Sequence, residues 1–268
     1  MRQRNLAPTL LYHKNVEKSI HGRRYHIKYQ GSKSRIAKYI VPIIQQFIDE
    51  NHITEYYEPF VGGANVIDKI KCENRYGSDI NPYLIEMFKS LTEDKYCGLP
   101  EEITREEYGK VRDDYRKQGR YYADWYIETV GFLASYNGKF FGGYAGTVTT
   151  KIGTIRDYYD EAKRNLEQQL PNLRGIHWNC CSYEGVMSQK SLIYCDIPYK
   201  NTTDYGTNFD HDRFWKWATE MSENNIVIVS ETQAPPEWKS IWSMEIGRTI
   251  DNASRSKSVE HLFMIDRQ

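Results

Sequence analysis

No apolar run in the sequence approaches the roughly 20 residues that a membrane-spanning helix requires, and the opening MRQRNLAPTLLYHKN has too short an apolar centre for a secretory signal. A cytoplasmic setting is therefore expected. Cysteines with the two-residue gap of zinc ribbons and redox motifs are also missing. The five present, Cys72, Cys97, Cys180, Cys181 and Cys195, are odd in number and read as free thiols. Cys195, inside an apolar run, reads as a small core side chain. Net charge is absent as well: 36 basic residues balance 36 acidic ones, so the chain as a whole carries no electrostatic sign of a nucleic-acid partner. Neither a solenoid-type repeat nor a low-complexity tract is found.

What is present is 268 residues, enough for one large domain or one domain carrying an insertion. Charge is unevenly spread along it. From Arg2 to Lys38 a series of lysines and arginines faces a single acid, Glu17. Such a segment suits a phosphate backbone, and it equally suits a solvated basic tail.

Ile36, Ile40, Ile43, Ile44, Phe47 and Ile48 recur at helical spacing and predict a helix over about residues 33–50, bent at Pro42. EYYEPF reads as a short strand, and VGGANVIDKIK turns through its glycines into a helix carrying Val66, Ile67 and Ile70 on one side. NRYGSDINPYLIEMFKSL repeats the plan, with a strand ending at Asp79, a cap at Asn81 and Pro82 opening the helix. Two such units in succession imply a parallel sheet. Residues 91–179 are charged and tyrosine-rich, with a helix over 121–135, the glycine-aromatic loop SYNGKFFGGYAG and a capped helix over 157–170. Lacking a strand that ends in a site-like acid, this stretch reads as partly an inserted module. Strands resume at SLIYCD and NIVIVSE, separated by the helix DHDRFWKWATEM, whose Phe214 and Trp217 share a face and read as core. VEHLFMID closes the chain as one more strand.

SLIYCDIPYK carries the chemistry. A buried strand that stops on Asp196 places a carboxylate at the carboxyl edge of a sheet, where open α/β folds bind their ligands. In EPFVGGANV a strand runs into Gly62 and Gly63, so backbone amides can approach a ligand closely. Asp79, at the tip of the next strand, has the spacing from which an acid accepts hydrogen bonds from ribose hydroxyls. FVGGAN lacks the third spacing of G-x-G-x-x-G, which disfavours a nicotinamide dinucleotide and an oxidoreductase. A cofactor with adenosine and no pyrophosphate fits better, and S-adenosylmethionine is the expected one. Its methyl is already activated, so no metal is needed and the protein must hold the acceptor in line and manage developing charge. An aromatic amine has its lone pair delocalised into the ring. Asp196 and the main-chain carbonyl of Ile197 are placed to accept its two N–H bonds and turn the lone pair toward the methyl. Pro198 stiffens the turn, and Tyr199 offers a ring on which an extruded base stacks, worth roughly 1–3 kcal/mol. A duplex hides the target atom, so the base must be flipped out.

Four blocks in order resemble the Dam-type adenine N6-methyltransferases of DNA. YQGSK matches their aromatic-x-G-x-K block through Tyr29, Gly31 and Lys33; EPFVGGANV matches the next block closely; SDIN matches the acidic block; CDIPY matches D-P-P-Y. The closing SKSVEHLFMID is also similar, and the resemblance spans roughly residues 25–266. It implies a Rossmann-like class I methyltransferase sheet, mostly parallel with helices on both faces. It further implies a basic extension over 1–24, a catalytic domain formed by 25–90 and 175–268, and an inserted, mainly helical target-recognition module over 91–174. The residues carried over for S-adenosylmethionine are Tyr29, Lys33, Phe60, Gly62, Asp79 and Asp196, with Asp196, Ile197, Pro198 and Tyr199 holding the adenine. The expected partner is double-stranded DNA in a bacterial or phage-infected cell, in a restriction-modification or related role. Two departures stand out: Ala64 replaces a third glycine, and Ile197 replaces the first proline of D-P-P-Y. The same logic leaves open a cytosine, RNA adenine or glutamine-amide acceptor, and a DNA-binding relative that has lost turnover.

Overall fold

A computed structural model describes residues 32–93, 98–150, 152–199, 209–251 and 254–265. The basic extension over 1–24, together with Tyr29 and Gly31, lies outside the described residues. Seven strands form one sheet: β1 (Glu55–Glu58), β2 (Asn74–Asp79), β5 (Ile176–Cys180), β6 (Leu192–Asp196), β7 (Ile226–Glu231), β8 (Trp238–Asp251) and β9 (Ser254–Ile265). Their spatial order is β5-β2-β1-β6-β7-β9-β8. The first five run parallel, and β9 pairs antiparallel with both β7 and β8. A separate two-stranded hairpin joins β3 (Thr147–Thr149) to β4 (Ile155–Asp157).

Parallel strands must be covered on both faces, and β6 shows how the sequence arranges this. Leu192 and Tyr194 point into one apolar cluster, while Ile193 and Cys195 point into the other. The first cluster collects α1 (Ala37–Glu50), α2 (Pro82–Thr92), α4 (Asp124–Leu133) and α5 (Tyr158–Leu173); the second takes α6 (His211–Met221) through Phe214 and Ala218. The fold is thus mixed α/β with helices on both faces of a mostly parallel sheet. Each fully buried apolar side chain in these clusters contributes roughly 1.5–3 kcal/mol. Phe214, expected in the core, is completely buried, and Cys195 is likewise a buried thiol.

The helix predicted over 33–50 is in fact a 3₁₀ turn, Lys33–Arg35, followed by α1 with Pro42 inside it. α2 starts as expected, with the Asn81 side chain accepting from the amides of Tyr83 and Leu84. The helix predicted after the glycine turn is not an α-helix. Only the 3₁₀ turn Ile67–Lys69 forms there. The carbonyls of Gly63 and Ala64, which would begin such a helix, instead accept from the Gln169 side chain of α5 at 3.2 and 2.9 Å, and the Asp68 amide reaches Ala64 O only at 3.4 Å. Val66, Ile67 and Ile70 are still buried, so the apolar pattern was right and the period wrong. The strands β3, β4, β5 and β8 and the helix α3 (Arg105–Arg116) were not foreseen.

Ala64 has φ +53° and no solvent exposure, a left-handed conformation that costs an L-residue about 1–2 kcal/mol. Ala64→Gly relieves that strain but loses a buried methyl and gains unfolded-state freedom, so its stability should stay within about 1 kcal/mol of wild type. Ala64→Val combines a β-branched side chain at positive φ with overpacking and should cost more than about 2 kcal/mol. Urea midpoints of the two variants check this; equal stability of the valine and glycine forms would contradict it.

Candidate active site

Sheet topology brings the predicted site residues to one edge. β1 lies between β2 and β6, with Tyr56 and Tyr57 opposite Leu192 and Ile193. Chain order reverses there, because β2 and β5 lie on one side and β6 and β7 on the other. The carboxyl ends of β1 and β6 therefore open side by side at a topological switch point, the place where open α/β sheets take their ligands. The Gly62 bend follows β1, and Asp196 is the last residue of β6.

On the β1–β2 side, Gly62 has φ +45°, a conformation that favours glycine, and its amide donates to Asp79 Oδ2 at 3.2 Å. The Asn81 amide donates to Asp79 Oδ1 at 3.0 Å. Burial raises the Asp79 pKa, and the amides of Asn81, Gly62 and Ile80 oppose that rise by favouring the carboxylate. Phe60 packs against Tyr183, Phe209 and Phe214, with ring centroids 5.5–5.8 Å away, and so forms an aromatic wall beside the bend. The first and second sequence blocks meet here too: the Asn65 side-chain amide donates to Ser32 Oγ at 2.8 Å.

Ser32 leads directly into Lys33, which is only 6% exposed and reaches the other side of the cleft. Its ammonium lies 2.7 Å from Asp196 Oδ1 and 3.2 Å from Glu260 Oε1. It also donates to the Tyr199 hydroxyl and sits 4.4 Å from the centre of that ring. Tyr199 in turn donates to Glu260 Oε2, and Ser230 Oγ donates to Glu260 Oε1 at 2.6 Å. Asp196 keeps 20% of its side chain exposed. Burial pushes its pKa up to about 6 against the opposing pull of Lys33, with Glu260 and Glu231 adding to the rise. For Lys33 burial alone would lower the pKa, but the two carboxylates outweigh it and leave the ammonium favoured. Ile197 is buried in the second apolar cluster; Pro198 and Tyr199 are half-buried at the rim.

Three carboxylates near this edge escaped the sequence reading. Glu260, in β9, is one. Glu58, at the end of β1, is buried and accepts from the Tyr56 hydroxyl at 3.0 Å; burial raises its pKa well above the usual carboxylate range. Glu128, in α4, is buried beside Asn81, whose side-chain amide lies 3.4 Å from Oε2. The signal was available in each case: an acid standing in an otherwise apolar stretch, as in EYYE, VEHLF and WYIETVGFL.

The residues fit an adenosine cofactor bearing a positive charge. A glycine bend with an inward amide and a strand-end acid suit the nucleoside. Asp196 and Glu260 share the single ammonium of Lys33, a donor set with negative charge to spare. Among the described residues no cluster of histidine, cysteine or acid side chains has the arrangement of a metal site, and no helix is long and apolar enough to cross a membrane.

Comparison with known proteins agrees with this class of site. The family described as D12 class N6 adenine-specific DNA methyltransferase matches residues 29–224. The type II methyltransferase M.MjaIII of Methanocaldococcus jannaschii is 27% identical over 209 residues, covering 68% of this chain and 72% of that protein. A DNA adenine methylase of Vibrio cholerae is 29% identical over 209 residues, covering 69% and 70% respectively. M.FokI of Planomicrobium okeanokoites is 26% identical over 84% of this chain, but the match spans only 36% of that longer protein. Among solved structures, the rRNA methyltransferase aviRa of Streptomyces viridochromogenes superposes with a TM-score of 0.40 at 10% identity, over 91% of this chain and 88% of that one. The chain belongs to the D12 class of N6 adenine-specific DNA methyltransferases, with the Rossmann-like sheet and S-adenosylmethionine dependence that go with it.

Glu128 supplies a pH signature for the site's support. Burial pushes its pKa from the ordinary 4.5 up to about 8, with the Asn81 hydrogen bond opposing and Asp79 adding to the rise. The folded state therefore holds a proton that the unfolded chain releases. Its contribution to stability is fully present below about pH 4.5 and is lost as pH rises toward 8, with a slope of up to about 1.4 kcal/mol per pH unit. Glu128→Gln keeps the acceptor for Asn81 and removes the titration. Chemical denaturation between pH 5 and 8 should show a flatter decline in the variant than in wild type; parallel slopes would place the titration elsewhere.

Proposed function

We propose that this methyltransferase acts on the N6 amine of an adenine flipped out of duplex DNA, at a specific sequence, and that Asp196 carries the reaction. S-adenosylmethionine supplies a methyl activated on a sulfonium. In this reading the Gly62 bend, Phe60 and Asp79 hold the nucleoside end of the cofactor, and Tyr29, which lies outside the described residues, is carried over from the family's first block as a further cofactor contact. Lys33 acts at the cofactor side by way of Asp196. The observation that carries the reading is Asp196 itself: a carboxylate at the switch point, with Oδ1 bound to Lys33 and the rest of the side chain partly open to the cleft.

Asp196 and the Ile197 carbonyl accept the two N–H bonds of the amine, which directs the nitrogen lone pair out of the base plane and favours positive charge growing on it. Ile197 performs this through its backbone. Its side chain is buried in the apolar cluster behind the strand, which supports an acceptor role that survives loss of the family's proline. Pro198 limits the turn's freedom. Lys33 lies over one face of the Tyr199 ring, so the base stacks against the opposite face.

The recognition module expected over 91–174 contains α3, α4, the β3–β4 hairpin and α5, and of these the hairpin is the part best suited to a nucleic-acid groove. Its strands are exposed throughout, and Ile152 and Ile155 are 86% and 76% exposed. Apolar side chains presented on a narrow two-stranded ribbon can enter a groove and support an opened base step. α5 returns to the sheet, where Gln169 fastens the glycine loop. The enzyme would act in the cytoplasm, on nucleoid or phage DNA.

Incubating purified protein with labelled cofactor and duplex DNA of varied sequence tests the reading. Nucleoside mass spectrometry should find N6-methyladenine. Asp196→Ala should lower the rate by about 10³-fold or more while DNA affinity changes only a few-fold. Methylated cytosine would overturn the choice of base, and an active Asp196→Ala protein would overturn the mechanism.

A further inference from the structure

Glu260 sits in the last strand, some 60 residues beyond D-I-P-Y, yet it converges on the same lysine. The register explains why. β9 runs antiparallel to β7, with His261 opposite Glu231 and Leu262 opposite Ser230. Glu260 therefore lies just past the carboxyl end of β7, on the same side of the sheet as Leu262. It is 2% exposed. Its Oε1 accepts from Ser230 and from Lys33, and its Oε2 from Tyr199.

A buried strand carboxylate is costly to keep, and one carboxylate would suffice to neutralise Lys33. Two share it. We propose that Glu260 is a positioning residue for methyl transfer: it holds Lys33 and the Tyr199 ring in place by hydrogen bonds, and gives the cleft one negative charge beyond what Lys33 balances. This rests on the transfer reading above. Two consequences follow for Asp196. Lys33 is shared, 2.7 Å from Asp196 Oδ1 and 3.2 Å from Glu260 Oε1, so its charge is divided between two carboxylates and Asp196 keeps the capacity to accept from an amine. The surplus charge complements a sulfonium before transfer and the amine nitrogen as it becomes positive.

Among the described residues, the groups that interact with Asp196 are Lys33 ahead of α1, Glu58 on β1, Tyr194 and Cys195 on its own strand, Tyr199 in the turn that follows, Glu231 on β7 and Glu260 on β9. Glu260 both repels Asp196 and binds two of its neighbours, Lys33 and Tyr199.

Glu260→Gln is isosteric and removes the charge. Three readouts test the assignment. In calorimetric titration the ratio of affinities for S-adenosylmethionine and its neutral thioether product should fall about tenfold in the variant. This arm needs no turnover, so it stands even if the acceptor is not adenine. In single-turnover methylation the rate should drop by about 10- to 100-fold, and the acidic limb of its pH profile should move to lower pH, because repulsion of Asp196 has been removed. Glu260→Asp should recover part of both losses. An unchanged affinity ratio together with an unshifted acidic limb would overturn the proposal, as would loss of rate that tracks only a lowered melting temperature and is not relieved by Asp. If Glu260→Gln fails to fold, Ser230→Ala removes one anchor of the carboxylate and should give a smaller rate loss than Glu260→Asp; a wild-type rate in both would overturn it. Failure of the transfer reading is separately visible, as wild-type protein that leaves all DNA unmethylated.

Discussion

The parallel pairing of β1 with β6 is the constraint on which the site depends. It joins residues far apart in the chain, Tyr56 to Leu192 and Tyr57 to Ile193, and no local propensity could place the glycine bend next to Asp196 without it. Parallel neighbours require a long crossover, and this chain uses more than a hundred residues to make it, passing through β2, the helices α2 to α5 and β5. Once β1 and β6 are adjacent, the chemistry follows from where each strand stops. Asp79 faces the bend from β2, Asp196 ends β6, and Glu260 reaches the same edge because β9 runs the other way.

Concentrating acids at one edge has a physical cost that the structure meets in different ways. Asp79 is satisfied by backbone amides, the least expensive solution for a carboxylate at a strand end. Asp196 and Glu260 share Lys33. Glu58 and Glu128 have only weak neutral donors, so burial pushes their pKa values upward.

Much of this was legible in the sequence. β6 and β7 announced themselves because strands buried on both faces read as continuous apolar runs, and α2 because its cap and proline sit where helix starts require them. β5 was hidden: IHWNC buries only Ile176 and Trp178 and leaves the alternate residues exposed, too short a pattern to separate from a loop. β8 is an edge strand with polar residues interleaved, and α3 carries mostly charged residues with only Tyr108 and Val111 buried. The turn after Gly63 was misread because burial at 66, 67 and 70 fits a helix as well as a wrapped loop; only the distant Gln169 decides between them. Glu260 belongs to the same class of miss, since its partners come from three other segments of the chain.

The two departures from the family pattern have different physical characters. At 197 the side chain is buried in the second apolar cluster, so isoleucine in place of proline adds buried surface there. At 64 the backbone, not the side chain, is the issue: φ is +53°, and alanine bears a strain that glycine would not. That strain persists because its surroundings hold it, with Gln169 bonding both carbonyls of the loop and Val61, Val66 and Ile67 buried around it. The loop that shapes the proposed cofactor pocket is thus held by α5, a helix within the stretch expected to be the insert. Any rearrangement of the insert on DNA that moves α5 would be felt first at Gly63 and Ala64, next to the amide that faces Asp79.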